Sequence, residues 1–440
     1  MMIENTINFR TLNYLGSKLR LLDFIEEQVM RITPKGGVVC DLFAGSGCVS
    51  YRLAQNFAVY TCDIQHYSQI ICNALLLHNT ISPNIISKLI TDIQNSKYLV
   101  LKEAFMPLIQ LEDKAIQEKN IEVLTDIIER GSLEVYRIEK NNSLLSGVQS
   151  KVLNNLYAQD LLGKESVISR YYGGVYFSYE QAVQIDIILS EIRKISDESN
   201  RNLFMAALLS TVSDIAVTVG KHFAQPIKAR DSKGNIKPLV YNKSVKDKTI
   251  DVLKVFLEWV KKYSSIKHSE LAHFVCQGDY MECLNKLPAN VSTIYADPPY
   301  TRDHYSRFYH VLETIALDDI PEISTVTMNG ETRISNGIYR KDRHQSPFCI
   351  KSKAIKAFDD MFRCISESKK NLLLSYSPYD ESKGSHPRVV TMQQLTELAN
   401  KYFNGVEVVS AGYFTHNKLN STEHLLTASN EAEVLIVCTN

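Results

Sequence analysis

The four residues Asp297-Pro298-Pro299-Tyr300 follow the apolar run Val291 to Ala296, which predicts a strand that delivers them to its carboxyl end. Proline fixes φ and has no N–H, so we expect the carbonyls around Pro298 to be left free. They lie beside a carboxylate, which accepts hydrogen bonds but does not donate them. An exocyclic amino group on a planar ring fits these acceptors. The alternative interpretation is a strand-ending turn followed by a capped helix.

A second motif lies upstream, over residues 38–47. It predicts a buried strand that ends at Asp41, then a turn with Gly45 and Gly47 that opens a helix. In an open α/β sheet the crevice outside the first strand is the expected cofactor site, and an acid about 20 residues later takes the ribose hydroxyls. Asp63 comes 22 residues after Asp41. A P-loop would need Lys-Ser/Thr after the glycines, and a dinucleotide fingerprint a third glycine, so both are disfavoured.

Together with the segment Tyr14 to Lys18, these motifs resemble the S-adenosylmethionine-dependent DNA adenine-N6 methyltransferases of the Dam-like class. The order is a lysine-containing segment, a glycine loop, a long insertion and the acid-Pro-Pro-aromatic tetrad. This order matches the group whose target-recognition region lies between the cofactor half and the catalytic half. The resemblance is clearest over residues 10–75 and 270–380, and residues 92–200 give no specific match.

The resemblance implies an α/β class I methyltransferase fold (Rossmann-like), with a mostly parallel seven-stranded sheet and an antiparallel last strand. Strands are predicted over Val38–Asp41, Phe57–Asp63, Leu271–Cys276, Val291–Ala296, Asn371–Ser375, Val406–Ala411 and Val434–Cys438. We expect the cofactor half over residues 1–91, a largely helical inserted target-recognition region with a basic loop over 92–270, and the half with the tetrad over 271–440.

Bulk composition limits the function without choosing it. The net charge is zero, so contact with a nucleic acid must depend on local patches. The nine cysteines form no Cys-x-x-Cys pair, which predicts reduced thiols rather than a disulfide framework or a zinc site, and no metal is expected. The sequence shows neither a secretory leader nor an apolar stretch long enough to span a bilayer, so we expect a cytoplasmic protein without membrane association.

The resemblance implies S-adenosylmethionine as cofactor. The predicted cofactor-binding residues are Tyr14, Lys18, Asp41, Phe43, Gly45, Gly47, Asp63, Asp279 and Tyr280. We expect Lys18 to attract the methionyl carboxylate, the two glycines to let the main chain approach that group, and Asp41 to lie near the positive amino group. A surface position for Lys18 is the alternative.

The remaining cofactor residues are assigned by the resemblance, which places acids at two further strand ends. Asp63 is assigned to the ribose hydroxyls and Asp279 to the adenine amino group, with Tyr280 covering the ring. Asp41 and Asp63 could instead cap helices, and Tyr14 could pack structurally.

The tetrad suggests a reaction. Adenine N6 must become tetrahedral and develop positive charge as it attacks a sulfonium methyl, and Asp297 would stabilise that charge. Asp297 and the Pro298 carbonyl would accept the two N6 hydrogens, Pro299 would keep the turn rigid and Tyr300 would stack on the base. Direct displacement needs no covalent enzyme intermediate. The base must be flipped out of the duplex first.

Residues 221–267 carry twelve lysines and arginines against four acids, and 226–241 is predicted to be an exposed loop. The candidate nucleic-acid-binding residues are Lys221, Lys228, Arg230, Arg302, Arg307, Arg340 and Arg343. We favour phosphate contacts, with a solvated surface as the alternative.

The preferred partner is double-stranded DNA carrying a defined recognition site, and any cognate restriction endonuclease is expected to act separately from a monomeric enzyme. The alternatives are an RNA adenine methyltransferase, a cytosine-N4 or glutamine methyltransferase, a catalytically inactive DNA-binding module and a nucleotide-dependent oxidoreductase. Asp297 at the first tetrad position favours adenine, and the missing third glycine argues against the oxidoreductase.

Overall fold

The computed structural model of the chain describes residues 10–78, 80–140, 142–302, 304–328, 330–377, 388–410 and 433–440. The chain divides into two compact units. Unit 1 is formed by Met1–Leu77, Ile266–Ser306 and His344–Asn440, and unit 2 by His78–Ser265 and Arg307–Arg343.

The strands, in chain order, are β1 (Val38–Asp41), β2 (Val59–Asp63), β3 (Phe274–Gln277), β4 (Val291–Ala296), β5 (Thr325–Met328), β6 (Glu331–Ile334), β7 (Asn371–Tyr376), β8 (Gly405–Ser410) and β9 (Val434–Thr439). The helices are α1 (Leu22–Ile32), α2 (Cys48–Leu53), α3 (His66–Leu76), α4 (Pro83–Gln94), α5 (Val100–Gln117), α6 (Ile121–Arg130), α7 (Leu133–Ile138), α8 (Ser146–Ala158), α9 (Val167–Tyr172), α10 (Tyr179–Ile192), α11 (Glu198–Ile215), α12 (Leu239–Lys248), α13 (Val252–Ser264), α14 (Tyr280–Lys286), α15 (Tyr305–Phe308), α16 (His310–Leu317), α17 (Lys351–Glu367) and α18 (Met392–Tyr402).

Unit 1 is built on a seven-stranded sheet with the order β3-β2-β1-β4-β7-β9-β8. The first five strands of this order are parallel, and β9 runs antiparallel to both β7 and β8. This confirms the predicted mostly parallel sheet with an antiparallel last strand. The strand order reverses its direction between β1 and β4, which is the point where open α/β sheets bind their ligands.

Burial explains why the central strands are continuous apolar runs. All four residues of β1 are buried, as expected for a parallel strand with helices on both faces. On one face, α17 packs its Ala354, Phe358, Met361 and Ile365 side chains, spaced three or four residues apart, into the core that also contains Ile294 of β4. This packed core supports the strands whose carboxyl ends carry the site residues.

Unit 2 is mainly helical. Helix α11 is buried around most of its circumference and packs against α10, α13 and α16. Strands β5 and β6 form an antiparallel hairpin. The buried Lys248 ammonium lies 2.6 Å from an Oε1 atom of Glu112. The predicted helical character of the inserted region is what the described residues show.

The two units differ from the predicted division in their boundaries. The inserted region begins at His78 and ends at Ser265 rather than spanning residues 92–270. Unit 2 also takes up Arg307–Arg343, which the sequence placed in the half with the tetrad. Helix α16 in this second segment packs against α11, so its apolar face is covered by a helix that is distant along the chain.

One cysteine pair departs from prediction. Cys62 of β2 and Cys283 of α14 form a disulfide, so the prediction that the cysteines are all reduced is wrong for this pair. Cys276 of β3 lies next to them, with its sulfur 3.9 Å from that of Cys283. In the described ranges, every helix is too short or too polar to cross a bilayer.

Candidate active site

Asp297 follows β4 directly, at the carboxyl end predicted from the apolar run. Its Oδ2 atom lies 2.9 Å from the Lys18 ammonium nitrogen. The same nitrogen lies 2.7 Å from Oε1 of Glu433 and donates to the Gly16 carbonyl at 3.2 Å. Lys18 is buried, with a 4% exposed fraction. The ammonium is thus directed to two carboxylates and one carbonyl within unit 1.

Sequence reasoning missed Glu433, the residue that immediately precedes β9. Its Oε1 atom accepts from the Ser375 hydroxyl at 2.8 Å and from the Tyr300 hydroxyl at 3.4 Å. A signal existed, because an antiparallel strand begins at the edge where its parallel neighbours end. The predicted antiparallel direction of the last strand therefore placed an acid just before Val434 beside the tetrad.

Lys18 has partners within the protein that the sequence did not indicate. Its ammonium contacts Asp297, Glu433 and the Gly16 carbonyl, and its predicted attraction of the methionyl carboxylate stays a prediction. Burial disfavours its charged form, yet the charges of Asp297 and Glu433 outweigh burial and raise the pKa of Lys18 well above its ordinary value. The lysine is a permanent cation of the protein's own cluster.

Asp297 has a raised affinity for protons. Burial raises the pKa of its carboxyl to about 6, with the Lys18 charge acting in the opposite direction and Glu433 adding to the rise. Among the residues that the structure describes, the second carboxylate oxygen, Oδ1, has no hydrogen-bond partner. That oxygen is the acceptor left for a ligand.

Asp41, at the end of β1, is the most deeply buried acid of the site, with an exposed fraction of 1%. Its Oδ2 atom accepts from the Ser50 hydroxyl at 2.6 Å, and its Oδ1 atom has no partner within the described residues. Burial raises the pKa of this carboxyl to about 7, and the charges of Asp297 and Asp63 add to the rise. An orphaned buried acceptor of this kind fits a cationic amino group.

The glycine turn is shaped by the protein's own packing. Gly45 has φ +52°, and a Cβ atom there would lie 2.8 Å from the Tyr14 ring. Gly47 has φ +72°, and its Cβ would lie 2.6 Å from Leu75. Both positions require glycine whether or not a ligand is bound. The approach of a ligand to this turn stays a prediction.

Asp63, at the end of β2, organises the same turn. Its Oδ2 atom accepts from the Gly45 N–H at 2.8 Å, and its Oδ1 atom accepts from the Gln65 N–H at 2.8 Å. These bonds show the local capping that the sequence offered as the alternative for this residue. The assignment of Asp63 to the ribose hydroxyls stays a prediction.

Three aromatic rings pack together near the carboxyl end of β3. Asp279 caps α14 by accepting from the Met281 N–H at 2.9 Å. The Tyr280 ring stacks on Phe43 with centroids 5.8 Å apart, and Phe348 lies 5.0 Å from Tyr280. Phe348 was not singled out from the sequence, because it lies 68 positions after Tyr280. These rings and the Asp279 carboxylate form a surface suited to a purine.

The tetrad carbonyls are only partly occupied. The Pro299 carbonyl receives a weak bond from the Cys349 thiol at 3.5 Å, and the Tyr300 carbonyl accepts from the Val389 N–H at 3.1 Å. No donor in the described ranges reaches the Pro298 carbonyl. The Arg388 guanidinium lies over the Tyr300 ring, 5.0 Å from its centroid. The predicted acceptor pair of Asp297 and Pro298 is thus open to a ligand.

Several of the predicted DNA-contacting side chains are engaged within unit 2. The Lys221 ammonium lies 2.7 Å from Asp247, and Arg230 donates to Glu129 at 3.1 Å. Arg340 needs a correction. It has an exposed fraction of 2% and donates to Asp319 at 2.6 Å and to Asp342 at 3.0 Å, so the structure does not support it as a phosphate contact.

The other predicted DNA-contacting residues are placed where an anionic ligand could reach them. Arg302 and Lys228 are exposed, the former in unit 1 and the latter in unit 2. In unit 2, the guanidinium groups of Arg307 and Arg343 lie 5.5 Å and 4.8 Å from the centre of the Tyr339 ring. The Nη1 atom of Arg343 is buried and lacks a hydrogen-bond partner in the part of the chain that the structure describes. Such a cationic pair fits an anionic ligand.

Comparison with known proteins agrees with this geometry. A family model described as D12 class N6 adenine-specific DNA methyltransferase matches residues 14–161 and 226–371. The chain is 25% identical over 419 residues to Modification methylase LlaI of Lactococcus lactis subsp. lactis, covering 93% of this chain and 52% of that protein. It is 26% identical over 372 residues to Type II methyltransferase M.FokI of Planomicrobium okeanokoites, covering 83% and 44%.

A third relative, Type II methyltransferase M.NlaIII of Neisseria lactamica, is 22% identical over 363 residues, with 80% of each chain covered. The chain spans about half the length of the first two relatives. Both ranges of the family match carry predicted site residues, since the first contains the glycine turn and the second contains the tetrad.

Proposed function

Because the chain belongs to the D12 class N6 adenine-specific DNA methyltransferase family, we propose that it transfers a methyl group from S-adenosylmethionine to adenine N6 in duplex DNA. The observation that carries this proposal is the position of Asp297. Its carboxylate lies at the strand-order reversal of the sheet, close enough to Asp41 for its charge to raise the pKa of that residue. A cofactor acid and a target-base acid thus share one edge of the sheet.

The donor set at this edge fits S-adenosylmethionine. The unpartnered Oδ1 atom of Asp41 would accept from the methionyl amino group. Asp63 would accept from the ribose hydroxyls and Asp279 from the adenine amino group, with the rings of Tyr280 and Phe43 beside the purine. Tyr14 and the glycines Gly45 and Gly47 would form the wall of the site. When bound, the cofactor supplies an electrophilic methyl group on a sulfonium.

The tetrad would hold and polarise the target base. Oδ1 of Asp297 and the Pro298 carbonyl would each accept one N6 hydrogen, which orients the nitrogen lone pair out of the ring plane. The Asp297 charge would stabilise the positive charge that develops on N6. Pro299 fixes the turn and the Tyr300 ring would stack on the base. A proton leaves N6 after transfer, and the Asp297 carboxylate would accept it.

DNA binding would depend on local cations, since the chain has no net charge. The pair Arg307 and Arg343, stacked on Tyr339, is the strongest candidate for a backbone phosphate. Arg302 and Lys228 are exposed and would add weaker contacts. Unstacking a base costs a few kcal/mol, which phosphate contacts and stacking in the site would offset. Lys221 and Arg230 would contribute only by leaving their internal acids.

Duplex DNA is the proposed macromolecular partner, and methyl transfer as described would need one copy of the chain. Any cognate endonuclease would then act as a separate protein on the same DNA sequence. The proposed substrate places the activity in the bacterial cytoplasm, where the chromosome lies.

The test is methyl transfer by the purified chain. Protein incubated with labelled S-adenosylmethionine should incorporate label into unmethylated duplex DNA, and modified-base sequencing should locate it at N6 of adenines in one short motif. The matched control is Asp297→Asn, which keeps the shape of the side chain and removes its charge. Label in structured RNA but not in DNA, or equal transfer by the control, would overturn the proposal.

A further inference from the structure

The cluster formed by Lys18, Asp297 and Glu433 is not balanced in charge. One ammonium lies between two carboxylates, 2.9 Å from Asp297 and 2.7 Å from Glu433. All three side chains are largely buried, with side-chain exposed fractions of 5%, 20% and 7% in that order. With both acids ionised, the cluster carries a net charge of minus one beside the proposed target nitrogen.

Glu433 is itself held in place from two directions. Ser375 of β7 donates to its Oε1 atom, and so does the hydroxyl of Tyr300 in the tetrad. The same oxygen receives Lys18, so the lysine position is set by three strands of the sheet edge: β4 through Asp297, β7 through Ser375 and β9 through Glu433. Glu433 lies outside both ranges matched by the family model.

We propose that Glu433 is a positioning residue for methyl transfer, which shares the Lys18 ammonium with Asp297 so that this ammonium does not fully compensate the Asp297 charge that faces N6. This inference rests on the proposed function. Without Glu433, Lys18 and Asp297 would form a neutral one-to-one pair, and the carboxylate would face a developing cation with its charge already compensated. With Glu433, Lys18 keeps Asp297 ionised and oriented without cancelling its charge.

The sign of the electrostatic coupling makes the role measurable. The Glu433 charge raises the pKa of Asp297, and the Lys18 charge lowers it. Asp297 must be ionised to accept from N6, so activity falls as the pH drops through its pKa. Removal of the Glu433 charge should move this acid limb to lower pH, and removal of the Lys18 charge should move it to higher pH. The titratable or charged groups near Asp297 are Lys18, Asp41, Tyr295, Tyr300, Tyr305 and Glu433.

The experiment compares kcat and KM between pH 5 and 9 for the full chain and the variants Glu433→Gln and Lys18→Met. For Glu433→Gln we expect kcat on the plateau to fall roughly tenfold to a hundredfold, KM for DNA to stay within about twofold, and the acid limb to shift down in pH. Lys18→Met should shift the limb up. The matched control is Glu407→Gln, an acid of β8 in an exposed ion pair with Arg31, which should leave the profile unchanged.

Two further variants separate positioning from folding. Glu433→Asp keeps the charge, so it should recover part of kcat and keep the wild-type acid limb. Ser375→Ala removes one bond to Glu433 and should give a smaller effect of the same kind as Glu433→Gln. An unmoved acid limb in a folded Glu433→Gln protein, or a limb that moves up as in Lys18→Met, would overturn the proposal.

A second readout does not depend on turnover. Carbon-13 NMR titration of the Asp297 carboxyl, without DNA or cofactor, should give a lower pKa in Glu433→Gln than in the wild type. Equal pKa values would refute the coupling. If the wild type transferred no methyl group while this difference in pKa was present, the proposed function would fail and the charge-sharing cluster would stand.

Discussion

Two buried lysines, one in each unit, differ in the charge of the side chains around them. In unit 2, Lys248 meets Glu112 at 2.6 Å and also donates to the carbonyls of Gly174 and Phe177. Glu112 in turn accepts from the Tyr179 N–H at 2.8 Å. One cation faces one anion, and the remaining bonds go to the backbone of the same unit.

Lys18 in unit 1 is equally buried but lies in a cluster with excess negative charge. It serves two acids, and a third buried acid, Asp41, keeps an oxygen that no described donor reaches. Burial alone therefore does not identify a functional charge, because both lysines are buried. The charge imbalance around Lys18 is the reason that we propose a function for its cluster, since an uncompensated buried carboxylate is costly unless a ligand binds to it.

The largest effect on activity should come from the cluster of Lys18, Asp297 and Glu433. Asp297→Ala should lower kcat by on the order of 10³-fold, because the charge that stabilises N6 is lost. Cofactor affinity, measured by calorimetry, should change little, since the assigned cofactor groups lie on other strand ends. Loss of cofactor binding together with activity would mean that Asp297 supports the whole site rather than the target base.

A substitution in the ion pair of Lys248 and Glu112 should change the stability of the protein rather than its activity. Lys248→Met leaves Glu112 buried without its partner and should lower the free energy of unfolding by about 3 to 5 kcal/mol. Turnover per folded molecule should be unchanged. The double variant Glu112→Gln with Lys248→Met should recover part of the stability. A fall in kcat without loss of stability would erase the distinction between the two lysines.

Asp41, the third buried acid of the site, should make the stability of the protein depend on pH. Its folded-state pKa of about 7 lies above that of an unfolded aspartate, so the folded protein binds a proton that the unfolded chain releases. This group therefore opposes folding increasingly as the pH rises from about 4 to 7. Asp41→Asn should raise the stability of the cofactor-free protein at pH 8 by up to a few kcal/mol.

The same substitution should leave stability at pH 4 nearly unchanged and weaken cofactor binding. Urea unfolding at both pH values and cofactor titration at pH 8 measure the two effects. Equal stabilisation at pH 4 and pH 8 would show that the gain does not come from ionisation.

The smallest effect concerns DNA affinity. Replacing Arg307 and Arg343 by glutamine should weaken duplex binding about tenfold and reduce the slope of log affinity against log salt by about 1 to 2. Replacing Lys228 and Arg230 should do less, because Arg230 already contacts Glu129. Binding measured at several salt concentrations distinguishes them. Equal losses of affinity for the two pairs would mean that Lys228 and Arg230 contact DNA as strongly as Arg307 and Arg343 do.

The seven-stranded sheet of unit 1 was the most predictable part of the structure. The bounds of β1 and β4 match the prediction, and family membership and the class I fold are confirmed. Elements differ where tertiary partners decide. The edge strand β3 begins at Phe274 rather than Leu271, because its pairing with β2 starts at Phe274. Helix α1, in contrast, ends at Ile32 for a local reason, because Thr33 precedes Pro34 and a residue before a proline disfavours helical backbone.

The sequence predicted where the site residues lie better than it predicted which side chains they contact. Strand-end acids could be named because sheet topology brings strand ends together, whereas the partners of Lys18 depend on side-chain distances that no local pattern encodes. Arg340 illustrates the same limit, since its burial depends on Asp319 in the preceding connection. The second segment of unit 2 was missed because its apolar helix resembles any other helix until α11 is placed against it.

The division of unit 2 into two stretches of chain bears on how such proteins diversify. A genetic exchange that transplanted the codons for 78–265 alone would bring in a foreign α11 while keeping the resident α16, and the mismatch would fall on their shared apolar surface. Inheritance of a new unit 2 thus requires two coordinated replacements, on either side of the gene segment that encodes the tetrad.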